Sequence, residues 1–172
     1  MKPALSLIAA SVFLLSACGG SSSESSIPGL KSDTNVALLS RGASASSSHN
    51  SSDAKNLIDG NNNTSWTSAS GQKIVVDFGR IEKIKSIKLT RQAASAAIGS
   101  SPDILIELSA NGSSYTASNL SVFSGGIACT SQTVTTTTMS CTMAERDTRY
   151  IRITSQNGKA YDFIELEALA TK

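Results

Sequence analysis

Apolar residues recur at every second position in several short runs of this chain. The clearest of these positions are Ile74, Val76 and Phe78; Ile104, Ile106 and Leu108; Ile151 and Ile153; and Ile164, Leu166 and Ala168. A period of two places alternate side chains on opposite faces of a β-strand, and short runs separated by Gly, Asn, Ser and Pro are typical of a sandwich. The sequence therefore predicts an all-β fold in which each strand has one inward face.

Two other segments fit the same fold. Residues 53–58 are the helical candidate, a turn or so that Ser52 or Asp53 would cap. Residues 133–138 are rich in threonine, and this β-branched residue suits a strand better than a disordered segment.

The N-terminal residues predict an exported, lipid-anchored protein. Lys2 precedes an apolar run over residues 4–15, and small residues close this run before Cys18. So short a segment indicates a cleaved signal peptide, residues 1–17, and not a membrane span. Cys18 resembles the diacylated first residue of a bacterial lipoprotein; the alternative is an ordinary signal peptide with an incidental cysteine. Gly19 follows Cys18 where an inner-membrane lipoprotein often has aspartate, so we expect an outer-membrane anchor, facing the periplasm or the surface.

Beyond the anchor, composition predicts a linker and one domain. Residues 18–34 are rich in Gly and Ser and predict a flexible tether, which leaves residues 35–170 for a single β domain. The net charge of +2 gives no general attraction to nucleic acid.

A basic run within this domain has two interpretations. It comprises Arg80, Lys83, Lys85 and Lys88. These residues fit a solvated strand face; the alternative is a surface that attracts acidic glycans or lipopolysaccharide phosphates.

Cys129 and Cys141 remain once Cys18 is assigned to the lipid. An exported pair predicts a disulfide, here between neighbouring strands joined by the intervening turn. Two free thiols or a metal pair are the alternatives.

One polar loop combines several oxygen donors with a turn glycine. It contains Asp59, Gly60, Asn61 and Thr64 and ends at Trp66, the single tryptophan of the chain. Calcium binds six to eight oxygens from carboxylates, amides and carbonyls, so the loop is a candidate metal site, and a metal-free polar turn is the alternative. The spacing does not fit an EF-hand, since the turn glycine would fall on Thr64.

Several motifs together resemble a known family. They are residues 43–49, 56–61, 64–66, 74–79, 149–153 and 164–167. Their order and spacing resemble the F5/8 type C (discoidin) family, which includes carbohydrate-binding module family 32, over residues 35–169. The resemblance implies a jelly-roll β-sandwich whose loops bind sugars, lipid head groups or proteins.

By this resemblance, a structural calcium ion would join the polar loop to the closing strand. Two of its ligands would be the backbone carbonyls of Asn56 and Ile164. The full set would be Asn56, Asp59, Asn61, Thr64, Ile164 and Glu165. Two carboxylates would balance the dication, and Trp66 would pack in the core beneath the loop.

The resemblance also places ligand-binding residues in loops at one end of the sandwich. These candidates are His49, Asn50, Arg91, Gln92, Tyr161 and Asp162. Tyr161 would stack on a sugar face and Arg91 would donate to vicinal hydroxyls. A solvated histidine is the alternative at position 49, and an aromatic content of 5% is sparse for a sugar-binding protein.

No enzyme constellation is evident in the sequence. One histidine, without a nucleophile elbow, zinc cluster or phosphate loop, gives no means of activating a nucleophile or water. Glu165 and Glu167 are expected on one strand face, as in a glycosidase pair, but one of them is the expected metal ligand. The sequence thus predicts a non-catalytic glycan-binding lipoprotein; the alternative is an adaptor that docks a protein of the cell envelope.

Overall fold

A computed structural model describes residues 33–92, 104–115, 127–156 and 158–171. The described part contains an eight-stranded antiparallel arrangement. The strands are β1 Thr34–Asn35, β2 Ser44–Ser47, β3 Trp66–Thr67, β4 Lys73–Arg91, β5 Ile104–Ser109, β6 Cys129–Val134, β7 Thr138–Ser155 and β8 Asp162–Ala170, with 3-10 turns at Leu39–Arg41 and Ala54–Ile58. Cys18 and the predicted signal peptide lie outside these residues. Within them, no helix has the length and apolar character needed to cross a membrane.

Hydrogen bonds join the described strands into one continuous sheet with the order β1-β8-β4-β7-β5. The long strands β4 and β7 each contribute to both layers of the sandwich, which are called the first and second sheets below. The first part of β4 pairs with β2 and with the end of β7, so that Asp77 lies opposite Ser44 and Tyr150. Its second part pairs with the start of β7 and with β8. β5 extends the first sheet and β6 the second, while β1 and β3 pair with β8. The predicted all-β jelly-roll sandwich is confirmed.

A charged clamp fixes the bend between the two parts of β4. Gly79 has φ 77°, which a side chain would strain, and its amide donates to Asp77 Oδ1 at 2.7 Å. Arg149 of β7 donates to both oxygens of the same carboxylate, at 2.8 and 3.0 Å. These bonds from Arg149 are the main reason that the pKa of Asp77 lies below its usual value.

The core lies where the alternating residues meet between the sheets. The predicted inward residues of β4, β5 and β7 are all buried. β8 differs at Ile164, which is only partly buried and lies outside the core, whereas Phe163 is fully buried. Thr90 lies opposite Glu165 and Arg91 opposite Phe163, so Ile164 is the extra residue of a β-bulge. The prediction of an inward Ile164 is therefore wrong.

Two local predictions need partial correction. The turn at Ala54–Ile58 forms where a helix was expected, but Asp53 makes no side-chain capping hydrogen bond. The threonine-rich run is not one strand, because β6 ends at Val134 and β7 begins at Thr138. The amide of Thr135 donates to the Thr138 carbonyl at 2.8 Å, which closes a turn inside the run.

The predicted disulfide is confirmed. Cys129 and Cys141 are bonded, with their Cα atoms 5.3 Å apart, and they lie on the neighbouring strands β6 and β7. The bridge encloses the threonine-rich turn.

The register defines two opposite ends of the domain. At the bend end, Thr34 pairs with Ala170, and Asp33 forms an ion pair with Lys85. At the loop end, β8 begins at Asp162, which lies opposite Thr67. A strand of nine residues, such as β8, spans about 30 Å, so the two ends are well separated.

Candidate ligand and metal sites

The polar loop after Ile58 gathers oxygen atoms around the Asp59 carboxylate. Asp59 Oδ1 accepts the Asn61 amide at 2.8 Å, and Thr64 Oγ1 lies 2.8 Å from Asp59 Oδ2. The Thr64 hydroxyl also lies 2.8 Å from the Asn61 carbonyl oxygen. Gly60 has φ 76°, which lets the chain reverse at this point. Three predicted metal ligands therefore converge within a single turn.

Glu165 reaches this loop from the closing strand. Its Oε2 accepts the Gly60 amide at 3.0 Å, a contact between residues 105 positions apart in sequence. Its Oε1 is buried and has no hydrogen-bond partner. Desolvation, opposed by the Gly60 hydrogen bond and reinforced by the nearby Asp59 charge, raises the pKa of Glu165 to about 7. A buried carboxylate oxygen without a donor is an unfavourable arrangement unless a cation or a proton balances it.

The donor set fits a hard cation such as calcium. Asp59, Glu165, Asn61 and Thr64 offer two carboxylates and several neutral oxygens, which is the ligand chemistry that calcium prefers. No group of three or more His, Cys, Asp and Glu side chains forms a metal cluster in the described ranges, so neutral oxygens would have to complete the coordination.

The other two predicted ligands lie beside this loop. The side-chain amide of Asn56 donates to the Ser65 carbonyl at 3.0 Å, which orients the start of the loop. Ile164 is the residue that the register of β8 with β4 skips. The metal role of all six residues stays a prediction.

Three of the predicted ligand-binding residues come together at the loop end, joined by Thr67: they are Asn50, Gln92 and Asp162. The side-chain amide of Asn50 donates to the Thr67 carbonyl at 3.0 Å, and the Thr67 hydroxyl donates to Asp162 Oδ1 at 2.5 Å. The backbone amide of Gln92 donates to the backbone carbonyl of Asp162 at 2.8 Å. Asn50, Thr67 and Gln92 are exposed and Asp162 is partly exposed, so this apical cluster presents polar groups to solvent.

Two of the predicted ligand residues are instead buried beneath this cluster. Tyr161 is 4% exposed and Arg91 is 2% exposed. The Arg91 guanidinium lies 5.1 Å from the Tyr161 ring centroid, and that ring packs against Phe163 at 5.9 Å. Burial lowers the pKa of Arg91 from its ordinary value. In this arrangement Tyr161 offers no open ring face for a sugar.

His49 connects the apical cluster to the core. Its carbonyl accepts the Trp66 indole N–H at 3.0 Å, while its ring is partly exposed. Trp66 is 1% exposed and stacks on Phe163, with ring centroids 6.0 Å apart. The prediction that Trp66 is a core residue is therefore confirmed, and the role of the His49 ring stays a prediction.

The basic run of β4 is neutralised along its length. Arg80 pairs with Glu82, Lys83 with Asp147, Lys85 with Asp33, and Lys88 with Glu167. This pairing supports the interpretation as a solvated strand face over a surface for acidic glycans.

The sequence did not single out Thr67, which joins two of the converging loops. It accepts from Asn50 through its carbonyl and donates to Asp162 through its hydroxyl. Its position next to Trp66 was the available signal. Using that signal would have required knowing that β3 pairs with the closing strand, which the sequence does not reveal.

Comparisons with known proteins agree with this architecture. A family model described as "F5/8 type C domain" matches residues 42–166. No curated protein matches the chain.

Solved structures with the same fold include several carbohydrate-binding modules. CpGH89CBM32-6 of Clostridium perfringens is 18% identical, with a TM-score of 0.59, and the alignment covers 80% of this chain and 99% of that module. The family 32 module of C. perfringens NanJ, solved with galactose, is 24% identical, with a TM-score of 0.53 over 80% and 99% of the two chains. A selenomethionine-labelled mutant of chitosan-binding module 1 from a Paenibacillus sp. IK-5 chitosanase/glucanase is 25% identical, with a TM-score of 0.53 over 81% and 100%.

Proposed function

Because this chain belongs to the F5/8 type C domain family, we propose that it is a non-catalytic carbohydrate-binding lipoprotein, anchored to the bacterial outer membrane through Cys18. Its glycan site is the apical cluster at the loop end. The observation that carries the proposal is the convergence of Asn50, Thr67, Gln92 and Asp162, from loops far apart in sequence, into one solvent-facing polar group. Fixed amide, hydroxyl and carboxylate groups are what a site needs to recognise sugar hydroxyls.

The relatives support the same class of ligand. The NanJ module was solved with galactose, and the Paenibacillus module is described as chitosan-binding.

The two glutamates of the closing strand, Glu165 and Glu167, do not form an open acid pair. They lie opposite Thr90 and Lys88 on one strand face. Glu165 is covered by the polar loop, and Glu167 is paired with Lys88 at 2.6 Å.

Calcium has a separate, structural role in this proposal. The ion would be held by Asp59 and Glu165 with the neutral oxygens of Asn56, Asn61, Thr64 and Ile164. The buried Glu165 Oε1 without a donor is the feature that supports it. An ion at this position would fix the polar loop against β8 and leave sugar recognition to the apical cluster.

A broad glycan array tests the ligand class directly. We expect the wild-type chain to retain at least one glycan, and His49→Ala, Asn50→Ala and Gln92→Ala each to weaken retention about threefold to tenfold, the range for loss of one hydrogen bond. Arg80→Ala, at the bend end, is the matched control and should leave retention unchanged. Thermal melting of each variant excludes unfolding as the cause.

The same experiment distinguishes the adaptor alternative. A wild-type chain that ignores every glycan, yet co-purifies with one protein of the cell envelope, would contradict the carbohydrate proposal and support a docking role.

A further inference from the structure

Strand β6 has a neighbouring strand on one side only among the described residues. It pairs with β7, from Cys129 opposite Met143 to Val134 opposite Met139, and no other described strand pairs with it. Every residue of β6 after Cys129 is exposed. β6 is therefore an edge strand, and the disulfide from Cys129 to Cys141 fixes it to the sheet.

The hydrogen bond that closes the threonine-rich turn indicates which backbone groups of β6 point to the open edge. The Thr135 amide donates to the Thr138 carbonyl at 2.8 Å, so these two residues form a hydrogen-bonded pair. Such pairs alternate with non-hydrogen-bonded pairs along an antiparallel ladder, and the backbone groups of a non-hydrogen-bonded pair point away from each other. Val134 and Gln132 occupy these alternate positions, so their N–H and C=O groups face the open edge.

An apolar side chain is also exposed at this edge. Val134 lies opposite Met139, which is 1% exposed, so both side chains lie on the core face of the sheet. Val134 is nevertheless 42% exposed, because the core face extends past the part of the sandwich that covers it. A strand added to β6 would cover this apolar surface, which is favourable.

The edge lacks the features that usually prevent strand pairing. Natural edge strands are commonly protected by charged side chains, by proline or by a bulge. Residues 108–144 contain no Asp, Glu, Lys, Arg, His or Pro. A register shift between Cys129 and Ser131 interrupts only the start of β6. The uncharged, regular part of the edge is therefore residues 131–134.

An edge with these properties fits a second copy of the same strand. Two identical strands related by a twofold axis present the same surface to each other, so each side chain meets side chains of the same set. A charged side chain at the centre of such a contact would be repelled by its own copy. The neutral side chains of residues 131–134 avoid that repulsion.

We propose that β6 is a self-association surface that pairs antiparallel with β6 of a second copy and joins the two domains through one continuous sheet. The contact is centred on Thr133, because this register places Gln132 of one copy opposite Val134 of the other. About four main-chain hydrogen bonds would form, two for each of these pairs. This surface is distinct from the apical cluster and does not depend on the proposed glycan binding.

The direction of β6 determines how the two copies are arranged. The turn after β6 lies at the loop end, since the Thr137 carbonyl accepts the backbone amide of Arg91 at 2.8 Å and Arg91 packs on Tyr161. Antiparallel pairing would therefore place the two apical clusters at opposite ends of the dimer.

Cysteine cross-linking tests the pairing and its register. The two Thr133 residues would form a non-hydrogen-bonded pair with Cα atoms about 4.5 Å apart, a separation that a disulfide can bridge. We expect Thr133→Cys to give a covalent dimer under mild oxidation, with the 133–133 link identified by peptide mass mapping. Ser131→Cys is the matched control, because it is exposed on the same strand face but would lie about 14 Å from its own copy.

Sedimentation velocity over a dilution series measures the association without a cross-link. We expect the full mature chain in detergent to show a monomer–dimer equilibrium that added salt changes little, because the surface is uncharged. Val134→Pro removes an outward-facing amide donor from each copy and should weaken dimerisation about tenfold or more.

A matched pair of lysine substitutions tests the charge argument. Thr133→Lys places like charges opposite each other and should weaken dimerisation about fivefold. Thr142→Lys makes the same change at an exposed position of β7, away from the open edge, and should leave dimerisation unchanged.

The outcomes decide the inference. A wild-type chain that stays monomeric at every concentration, with Thr133→Cys no more reactive than Ser131→Cys, would overturn it; the same result is expected if β6 instead pairs with a strand of another protein. A dimer that persists unchanged in Val134→Pro and Thr133→Lys would also overturn it, since the contact would then lie elsewhere. Thermal melting of each variant excludes unfolding as the cause of a lost dimer.

Discussion

Glu165 contacts the polar loop through one carboxylate oxygen and buries the other without a hydrogen-bond donor. Its side chain must be close enough to the polar loop to accept the Gly60 amide, yet this position removes Oε1 from solvent without supplying a donor. Ionisation of the free carboxylate is therefore unfavourable, in agreement with its pKa of about 7. A bound cation would reverse this effect, because the charge would then have a partner.

Glu165→Gln should consequently have opposite effects in calcium and in chelator. With calcium, we expect a lower melting midpoint, because a neutral amide is a weaker ligand than a carboxylate. With chelator at pH 8, we expect the variant to be as stable as wild type or more so. The raised pKa means that metal-free wild type loses stability as pH rises from about 4.5 to about 7, and glutamine does not.

Glu167→Gln is the control for this prediction. Glu167 lies two residues further along the same strand face but pairs with Lys88. Its substitution should shift the midpoint by the same small amount in both conditions. Equal shifts of the same sign for Glu165→Gln in calcium and chelator would contradict a metal role for that residue.

At the scale of the elements, β4 bends between the two sheets, and its register with β7 shifts between Asp77 and Glu82. Asp77 receives the Gly79 amide and two bonds from Arg149 at that point. The clamp joins the bend of β4 to β7. Its charge therefore contributes to the stability of both sheets.

Asp77→Asn tests the charge of this clamp separately from its geometry. Asparagine still accepts the Gly79 amide but loses the ion pair, so we expect about 0.5–1 kcal/mol less stability at pH 7, since the pair is partly solvated. The lowered pKa of Asp77 stabilises the fold above its unfolded-state pKa, and that contribution disappears as pH falls through its folded-state pKa. Urea titrations should show the difference from wild type narrowing toward pH 3.

Asp77→Ala also removes the acceptor for Gly79 and should be less stable than Asp77→Asn at every pH. If wild type and Asp77→Asn lost the same stability on acidification, Asp77 would not be the source of the pH dependence.

The elements also show where sequence-based reasoning succeeds and where it stops. Alternation predicted the inward residues of β4, β5 and β7 because burial on one sheet face dictates a period of two. Alternation failed at Ile164 because the β-bulge there arises from the pairing of β8 with β4. The β4 residues that set this register, Thr90 and Arg91, are far from Ile164 in sequence.

The same limit applies at the candidate sites. The resemblance named residues that the fold does bring together, but it did not predict that Tyr161 and Arg91 are buried beneath the cluster. Burial of a loop residue depends on which other loops cover it. Single-strand periodicity carries no information about that.

At the scale of the whole molecule, the proposed calcium ion would connect the first third of the domain to its last strand. A ligand that binds only the folded state stabilises it by about 2.7 kcal/mol at one hundred times its Kd. For a domain of this size, we expect calcium to raise the melting midpoint by roughly 10 °C over chelated protein. Magnesium should raise it less, because it requires a tighter octahedral site. An unchanged midpoint after chelation would exclude the structural ion.

The opposite placement of Asp33 and Asp162 has a mechanical consequence. A linker that pulls at the bend end while a glycan is held at the loop end would load the sandwich along its strands. The hydrogen bonds between β4, β7 and β8 lie across that direction, so many of them would share the force at once in shear. β1 pairs with β8 at only two positions, so it would be the first strand to separate under this load.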